Sequence, residues 1–158
     1  MHAFLRQKGF SLLEILAVVV IISITVTFAT ITFGDFGSTR RTLIAAEHFV
    51  SFMNLLEQQA ILQNQTFGIK IVNNSYQAMR FTSQDKWQKI GEDKIFRQRH
   101  FPDNNTLTIN SSTNPQIIVQ SSGDYKPFQL QIREKNGKLI ATIIASINGK
   151  VTIQKAPS

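Results

Sequence analysis

The sequence contains no cysteine among its 158 residues. No disulfide can therefore support a folded domain, even in an oxidising compartment, and an apolar core has to suffice. The same absence excludes a lipoprotein anchor, because that anchor is attached to an acylated cysteine. The lack of disulfides favours a regular β architecture for the part of the chain that is not helical.

Residues that could carry catalysis or bind a metal are few and scattered. The three histidines are His2, His48 and His100. None of them has a second histidine at the helical spacing of zinc hydrolases, so no motif of that class is present. The sequence therefore predicts neither an enzyme nor a cofactor or metal site.

The charge balance is moderately basic, with a formal net charge of +7 from 17 Lys and Arg against 10 Asp and Glu. Such a balance can attract nucleic acid, anionic lipid headgroups or an acidic partner subunit. Scattered surface lysines explain it equally well. Charge alone therefore leaves the partner open.

A long stretch without charge lies near the N-terminus, where residues 15–33 form a run of 19 residues that carry no formal charge. At about 1.5 Å per residue, a helix of this length matches the hydrocarbon core of one bilayer. A secretory signal is the alternative, but its cleavage site follows the apolar region, whereas here the polar junction precedes it. We therefore predict a single membrane-spanning helix.

A short motif precedes this run and reads Lys8-Gly9-Phe10-Ser11-Leu12-Leu13-Glu14. It resembles the leader of type IV pilins and type II secretion pseudopilins, in which a glycine precedes a phenylalanine and a glutamate follows four residues later. The resemblance implies that a prepilin peptidase cleaves between Gly9 and Phe10 and methylates the new Phe10 amine. It also implies a cytoplasmic N-terminus before processing and a periplasmic C-terminal region.

Glu14 is the one carboxylate near the head of the apolar segment. A carboxylate inside a bilayer costs roughly 2.5 to 3.5 kcal/mol on insertion scales and is expected to find a partner. In a stack of subunits displaced along their axis, the Phe10 amine of one chain can meet Glu14 of its neighbour. The alternative is a Glu14 side chain that reaches the interface and stays half solvated. We favour the role in assembly, with Phe10 and Glu14 setting the subunit register.

A second helical pattern follows the apolar run. Its apolar residues recur at three- and four-residue steps, at Leu43, Ala46, Val50, Met53, Leu56 and Ala60. This spacing predicts an amphipathic helix that continues to about Gln63. Residues 34–37 interrupt the apolar run and predict a bend, after which Ser38 and Thr39 can cap a restarted helix.

Beyond Asn64 the apolar residues alternate with polar ones, which is typical of half-buried strands. The predicted strands are 66–72, 75–82, 94–100, 105–110, 116–120, 127–134, 138–147 and 150–155. Asn136-Gly137 and Asn148-Gly149 suit tight turns, so the last three strands are predicted to form a meander. Residues 103–114 are rich in Asn, Ser and Thr and are predicted to form an exposed loop or edge hairpin.

A second motif lies in residues 119–130, where a turn containing Gly123 leads into Pro127-Phe128 and an alternating strand. Gly123 permits a left-handed turn, Pro127 suits a strand start, and Phe128 begins the buried face. The segment resembles the H-type minor pseudopilins (the GspH/FimT-like group), with Lys126 in place of the usual threonine. Taken one by one, these residues are explained by a turn and a core phenylalanine.

Basic and aromatic residues alternate in residues 94–101. Arg97 and Arg99 could pair with phosphates while the aromatic residues stack on bases. The resemblance to FimT-like minor pilins, in which a basic C-terminal region is implicated in DNA uptake, adds Lys150, but Lys150 and Lys155 are sparse there and no dense arginine patch follows Gly149. In a strand, however, Phe96 faces the core and both arginines face solvent. Nucleic acid is therefore the weaker alternative.

The predicted fold is α+β and type IV pilin-like: a long N-terminal helix packed on a small antiparallel β-sandwich head. The predicted organisation is a leader at 1–9, the transmembrane half of the helix at 10–33, the bend and amphipathic half at 34–63, and a periplasmic head at 64–158.

The resemblance implies a minor pseudopilin of a type II secretion system, located in the inner membrane, that helps export folded proteins across the outer membrane. Its expected partners are major and minor pseudopilins, the prepilin peptidase, the inner-membrane assembly platform, the membrane and exported cargo. Two alternatives stay open: a FimT-like minor type IV pilin for pilus assembly or DNA uptake, and a plain single-span periplasmic binding domain.

Overall fold

The computed structural model describes residues 11–90, 95–146 and 149–157, except for the side chains of residues 28–36. The chain divides into two compact units, Met1–Gly37 and Ser38–Ser158. The second unit contains both sheets and the core, and we call its residues the head.

Helix α1 extends over Leu12–Gln63. Ser11 caps its start, because the Ser11 hydroxyl accepts a hydrogen bond of 3.2 Å from the Glu14 amide. The helix ends where Asn64 adopts a left-handed conformation with φ of 49°. Helical structure continues through residues 34–37, so the predicted restart at Ser38 is wrong. Amides inside a continuous helix bond to the preceding turn and need no cap.

Within the described residues, nine strands follow the helix. They are β1 (Phe67–Val72), β2 (Ser75–Phe81), β3 (Trp87–Lys89), β4 (Arg99–His100), β5 (Asn105–Ile109), β6 (Ile117–Val119), β7 (Phe128–Glu134), β8 (Leu139–Ala145) and β9 (Val151–Lys155). Sheet A has the order β3-β2-β1-β6, and β4 also pairs with β2. Sheet B has the order β5-β7-β8-β9. Every described strand pair is antiparallel, which confirms the α+β prediction and the C-terminal meander.

The predicted strand at 94–100 is largely wrong. Residue 94 lies outside the described residues, and residues 95–97 form a turn, so that only Arg99 and His100 pair with β2. The turn lets Phe96 enter the core, where its ring centroid lies 5.9 Å from that of Phe52. The other predicted strands are confirmed to within two residues at each described end. Strand β3 was not predicted, because three residues are too few to show an alternating pattern.

The core of the head joins the second part of α1 to both sheets in one cluster of buried side chains. From the predicted apolar stripe, Ala46, Met53, Leu56 and Ala60 are buried. Phe49 and Phe52 are also fully buried, although they lie outside the predicted stripe. The amphipathic half of the helix is thus confirmed, with its buried face widened by two aromatic rings.

Tyr76 connects helix and sheet A through aromatic contacts. Its ring centroid lies 4.9 Å from that of Phe49, 5.1 Å from that of Phe52 and 5.8 Å from that of Phe101, all in edge-to-face geometry. Such pairs add about 0.5 to 1.5 kcal/mol beyond the area they bury. Burial raises the pKa of the Tyr76 hydroxyl, and the nearby positive charge of Arg99 partly opposes that rise.

A buried polar contact connects the helix to the edge of sheet B. The Thr42 side chain is fully buried, and its hydroxyl lies 3.0 Å from Asn105 Oδ1. One turn earlier, the Ser38 hydroxyl donates a hydrogen bond of 3.1 Å to Glu134. Hydrogen bonds between buried groups are directional, so this contact fixes the register of the helix against β5 and β7.

Gly123 lies in the turn between β6 and β7 with φ of 89°, a left-handed conformation that favours glycine. A Cβ atom at this position would lie 2.8 Å from Ile61 Cδ1 at the end of α1. The turn therefore packs closely on the end of the helix, and a residue larger than glycine at this position would contact the Ile61 side chain. The predicted left-handed turn and the buried Phe128 after it are both confirmed.

Candidate assembly segment and head surfaces

The predicted cleavage residues Gly9 and Phe10 lie outside the described residues. The segment described after them begins with Ser11, which caps α1, and Glu14, which stands in the first turn and is exposed. Serine at the cap with glutamate three residues later is the spacing of a capping box, a sequence signal that our prediction did not use. Because a helix N-terminus carries partial positive charge, the Glu14 carboxylate is also favoured there by the helix dipole.

The first part of α1 exposes apolar side chains on every side. From Leu12 to Val26, the exposed fraction of the large apolar residues is between 46% and 87%. Because Val18 to Ile22 are consecutive and all exposed, no side of this segment is covered by the described chain. Such a surface is stable only against lipid or against the apolar surfaces of other proteins.

The hydroxyl groups of this segment are satisfied within the helix. Ser23 donates to the Val19 carbonyl at 2.7 Å, and Thr25 donates to the Ile21 carbonyl at 2.7 Å. Thr27 donates in the same way to Ser23 at 2.8 Å. Each bond joins residues four apart, so these polar groups need no water. These three hydroxyl groups therefore need no hydrogen-bond partner from outside the helix in an apolar environment.

Among residues 11–90, 95–146 and 149–157, no helix is both long enough and apolar enough to cross a membrane. The predicted span of residues 15–33 extends into residues 28–33, whose side chains lie outside the described part.

The residues of the nucleic-acid alternative are not arranged as predicted. Arg97 is exposed, but Arg99 is half-buried, and its guanidinium lies 5.4 Å from the ring centroid of Phe52. The prediction that Arg99 faces solvent is therefore wrong, because the turn at 95–97 places it against the aromatic cluster. Lys150 is exposed and belongs to the connection between β8 and β9 of the other sheet.

A line of exposed apolar residues runs along the head part of α1. Ile44, Leu55 and Leu62 are 43%, 39% and 77% exposed. Their spacings of 11 and 7 residues correspond to about three and two helical turns, so the three side chains share one side of the helix. That side is opposite to the buried one, which leaves it open to a partner.

A groove of about 350 Å³ lies on the head between β6 and the start of β7. Its lining includes Asn110, Thr113, Gln116, Ile117, Lys126 and Phe128. The lining thus combines amide and hydroxyl groups with one aromatic ring. Within the part of the chain that the structure describes, no three His, Asp or Glu side chains are grouped to hold a metal.

Two family models match the chain. The model described as type II transport protein GspH matches residues 45–149, which include most of the head. The model described as a prokaryotic N-terminal methylation motif matches residues 5–30, which include Gly9, Phe10 and Glu14.

Curated relatives match over most of their length. The type II secretion system protein H of Pseudomonas aeruginosa is 27% identical, over 82% of this chain and 84% of that protein. The protein of the same name from Escherichia coli K12 is also 27% identical, over 89% of this chain and 90% of that protein.

Solved structures share the fold. The minor pseudopilin EpsH from the type II secretion system of Vibrio cholerae matches with a TM-score of 0.63 and 28% identity, over 73% of this chain and 97% of that chain. The solution structure of Escherichia coli GspH matches with a TM-score of 0.64 and 20% identity, over 75% of this chain and 90% of that chain. With a family model that covers residues 45–149, well over half of its length, the chain belongs to the GspH family of type II transport proteins.

Proposed function

We propose that this protein is a minor pseudopilin of a type II secretion system, which joins a periplasmic pseudopilus and helps to export folded proteins across the outer membrane. One observation carries the proposal: a methylation motif at residues 5–30 and a GspH head at residues 45–149 occur in the same chain. Its work is mechanical, and we assign it no reaction of its own.

Processing comes first in the proposed mechanism. The prepilin peptidase cleaves between Gly9 and Phe10 and methylates the Phe10 amine, which becomes the new N-terminus. The apolar part of α1 stays as a single-span anchor in the inner membrane, with the head in the periplasm. The hydroxyl bonds of Ser23 and Thr25 inside the helix support this placement, since they pair the hydroxyl hydrogens of these two residues without water.

Glu14 sets the register of the assembled subunits in this mechanism. Its carboxylate stands in the first turn of a segment that is otherwise apolar and exposed. The Phe10 amine of a neighbouring subunit supplies the opposite charge, and the low dielectric makes this attraction much stronger than it would be in water. A lone subunit lacks that neighbour, so neutralisation of Glu14 favours assembly.

Two described surfaces support contacts between subunits. The apolar residues from Leu12 to Val26 supply the packing surface in the membrane, and the line of Ile44, Leu55 and Leu62 supplies a second surface on the head. Other major and minor pseudopilins are the proposed neighbours, with the inner-membrane platform as the place of assembly. The groove beside Phe128 is available to a neighbouring head or to cargo.

Deletion of the gene tests the proposed function. We expect the deletion strain to retain its secreted enzymes in the periplasm, while transformation and pilus formation stay normal. Mass spectrometry of the protein from wild-type cells is expected to show a methylated chain that begins at Phe10. Normal secretion with lost transformation would instead assign the protein to DNA uptake.

Substitution of Glu14 tests the mechanism of assembly. We expect Glu14→Leu to insert in the membrane but to be recovered in sheared pseudopili at least about tenfold less, since tenfold corresponds to roughly 1.4 kcal/mol. Glu47→Leu provides the matched control, because Glu47 is exposed on the head part of the same helix. Normal recovery of Glu14→Leu would contradict the proposed register contact.

A further inference from the structure

Sheet A has two faces of different character. Ile69, Ile71, Tyr76 and Ala78 point into the core. Since side chains alternate along a strand, their neighbours point the other way. We call these residues the outer face: Gly68, Lys70 and Val72 of β1, Ser75, Gln77, Met79 and Phe81 of β2, and Trp87 and Lys89 of β3.

One end of the outer face is aromatic. Phe81 lies opposite Trp87 in the strand register, with their ring centroids 5.0 Å apart. The Trp87 ring packs closely on β1, because a Cβ atom on Gly68 would lie 3.0 Å from it. Phe81 is 37% exposed and Trp87 is half-buried, so the pair is held in place while part of its surface stays accessible.

The other end of the outer face is basic. A depression of about 220 Å³ is lined by Lys70, Val72, Ser75, Gln77, Lys89 and Gln98. Lys70 and Lys89 lie two strands apart and are offset by two residues in the strand register, so their backbones are about 12 Å apart. Their long stems let both ammonium groups approach a ligand between them. The amide groups of Gln77 and Gln98 add hydrogen-bond donors.

The strands of sheet A contain no acidic residue to neutralise these lysines. Within the described residues, β1 to β4 and β6 contribute Lys70, Arg80, Lys89 and Arg99 and no Asp or Glu. The strands of sheet B carry Arg133 and Lys155 together with Glu134. Of these cations, Lys70 and Lys89 belong to the outer face, which contains no acidic residue, so a partner of opposite charge is favoured there.

We propose that the outer face of sheet A binds an acidic segment of a partner protein. A carboxylate of that segment enters the depression between Lys70 and Lys89, and an adjacent apolar side chain packs on Trp87 and Phe81. Charge then guides the encounter and gives specificity, while the aromatic pair supplies buried area. The inference concerns the head alone and does not depend on assembly through α1.

The size of the depression favours an acidic protein segment over nucleic acid. A volume of about 220 Å³ holds one or two carboxylate side chains. A nucleic acid is bound by several cations arranged along its phosphate backbone, often with bases stacked on aromatic rings. The outer face brings two lysines together in one depression instead of distributing cations along a track.

Trp87 makes the proposal testable, because it is the only tryptophan in the sequence. The full chain in neutral detergent micelles is titrated with a synthetic peptide of alternating glutamate and leucine. We expect Trp87 emission to shift to shorter wavelength and to saturate, and added salt to weaken the binding. The same peptide with glutamine in place of glutamate is expected to cause no shift.

Charge reversal locates the binding surface. We expect the double variant Lys70→Glu and Lys89→Glu to bind the peptide at least about tenfold more weakly, since tenfold is one step of about 1.4 kcal/mol. Lys138→Glu, in the connection between β7 and β8, and Lys155→Glu, in β9, together make the same change in net charge on exposed residues and provide the matched control. Should the first double variant fail to fold, Lys89→Gln serves instead, with a smaller loss of affinity expected.

Three outcomes would overturn the proposal. Unchanged Trp87 emission with the glutamate peptide would mean that this face is not the binding surface. Equal weakening by the two pairs of reversals would indicate general charge attraction. A Trp87 shift with duplex DNA at lower concentration than with the peptide would make nucleic acid the occupant.

Discussion

The two parts of α1 differ both in sequence character and in what surrounds them, since the first is apolar on every side and the second is amphipathic. Between Leu12 and Val26 the large apolar side chains are exposed on every side. In the head part, Ala46, Phe49 and Leu56 are fully buried by the sheets of the same chain. The first part therefore requires an apolar partner from outside the chain. The second part buries one side against the sheets of the same chain.

The largest expected effect comes from making the same substitution, leucine to alanine, in each part of the helix. Leu56 is fully buried and Leu16 is 62% exposed. We expect Leu56→Ala to lower the free energy of unfolding of the head by about 2 to 5 kcal/mol, because it leaves a cavity in the core. Leu16→Ala is expected to change it by less than about 0.5 kcal/mol. The measurement is urea denaturation of the full chain in neutral detergent, followed by circular dichroism.

A similar loss of stability in both leucine variants would contradict the stated difference between the two parts of the helix. A loss with Leu56→Ala alone would support it. Leu55→Ala gives a further control, because Leu55 is on the head part of the helix but is 39% exposed.

A smaller effect is expected from a pair of threonines. Thr25 and Thr42 both donate to the carbonyl four residues earlier, but Thr42 also contacts Asn105 at 3.0 Å. Thr42→Val keeps the shape and leaves the buried Asn105 amide without that contact, so we expect a loss of about 1 to 3 kcal/mol in unfolding free energy. Thr25→Val is expected to leave it unchanged. The same denaturation experiment checks both, and equal stabilities for the two variants would contradict the role of Asn105.

The smallest expected effect is a pH dependence of the free energy of unfolding of the head. Burial raises the pKa of Tyr76 above its ordinary value of 10.0, with Arg99 partly opposing the rise. Below pH 10.0 the hydroxyl is protonated in both states, and its contribution to stability is complete. Above that pH the unfolded chain loses the proton first, so stability falls as pH rises towards the folded pKa.

Tyr76→Phe isolates this contribution. We expect the stability difference between wild type and Tyr76→Phe to be constant below pH 10.0 and to shift in favour of the variant above it. Urea midpoints measured at several pH values on both sides provide the test. Tyr125→Phe is expected to shift the stability difference in the same direction, because burial and the nearby Glu57 charge also raise the pKa of the Tyr125 hydroxyl. A constant difference across the whole range would contradict the role of Tyr76.

Periodicity predicted most of the fold because burial repeats at regular intervals in helices and strands. The stripe from Ala46 to Ala60 and the strands of the C-terminal meander are confirmed for this reason. The positive φ of 87° at Gly137 confirms the first Asn-Gly turn, while Asn148 of the second lies outside the described residues. Such turns can be predicted from the local sequence because few residues other than glycine and asparagine adopt a positive φ.

The errors arose where tertiary contacts decide the backbone. Alternation in residues 94–100 predicts a strand, but burial of Phe96 against Phe52 favours a turn. Arg99 is consequently held against an aromatic ring, which no pattern in the local sequence indicates. The outer face was also missed, because Lys70 and Lys89 are distant in sequence and meet only through the order of the strands.

The close approach of Gly123 to Ile61 has a consequence for substitutions in this turn and for insertions in the helix. Replacement by alanine would push a methyl group into the last turn of α1 and would also strain a backbone with φ of 89°. The methyl group would fit only if the Ile61 side chain moved aside. An insertion or deletion of one residue in the helix before Ile61 would rotate its last turn by about 100° and place a different side chain towards Gly123.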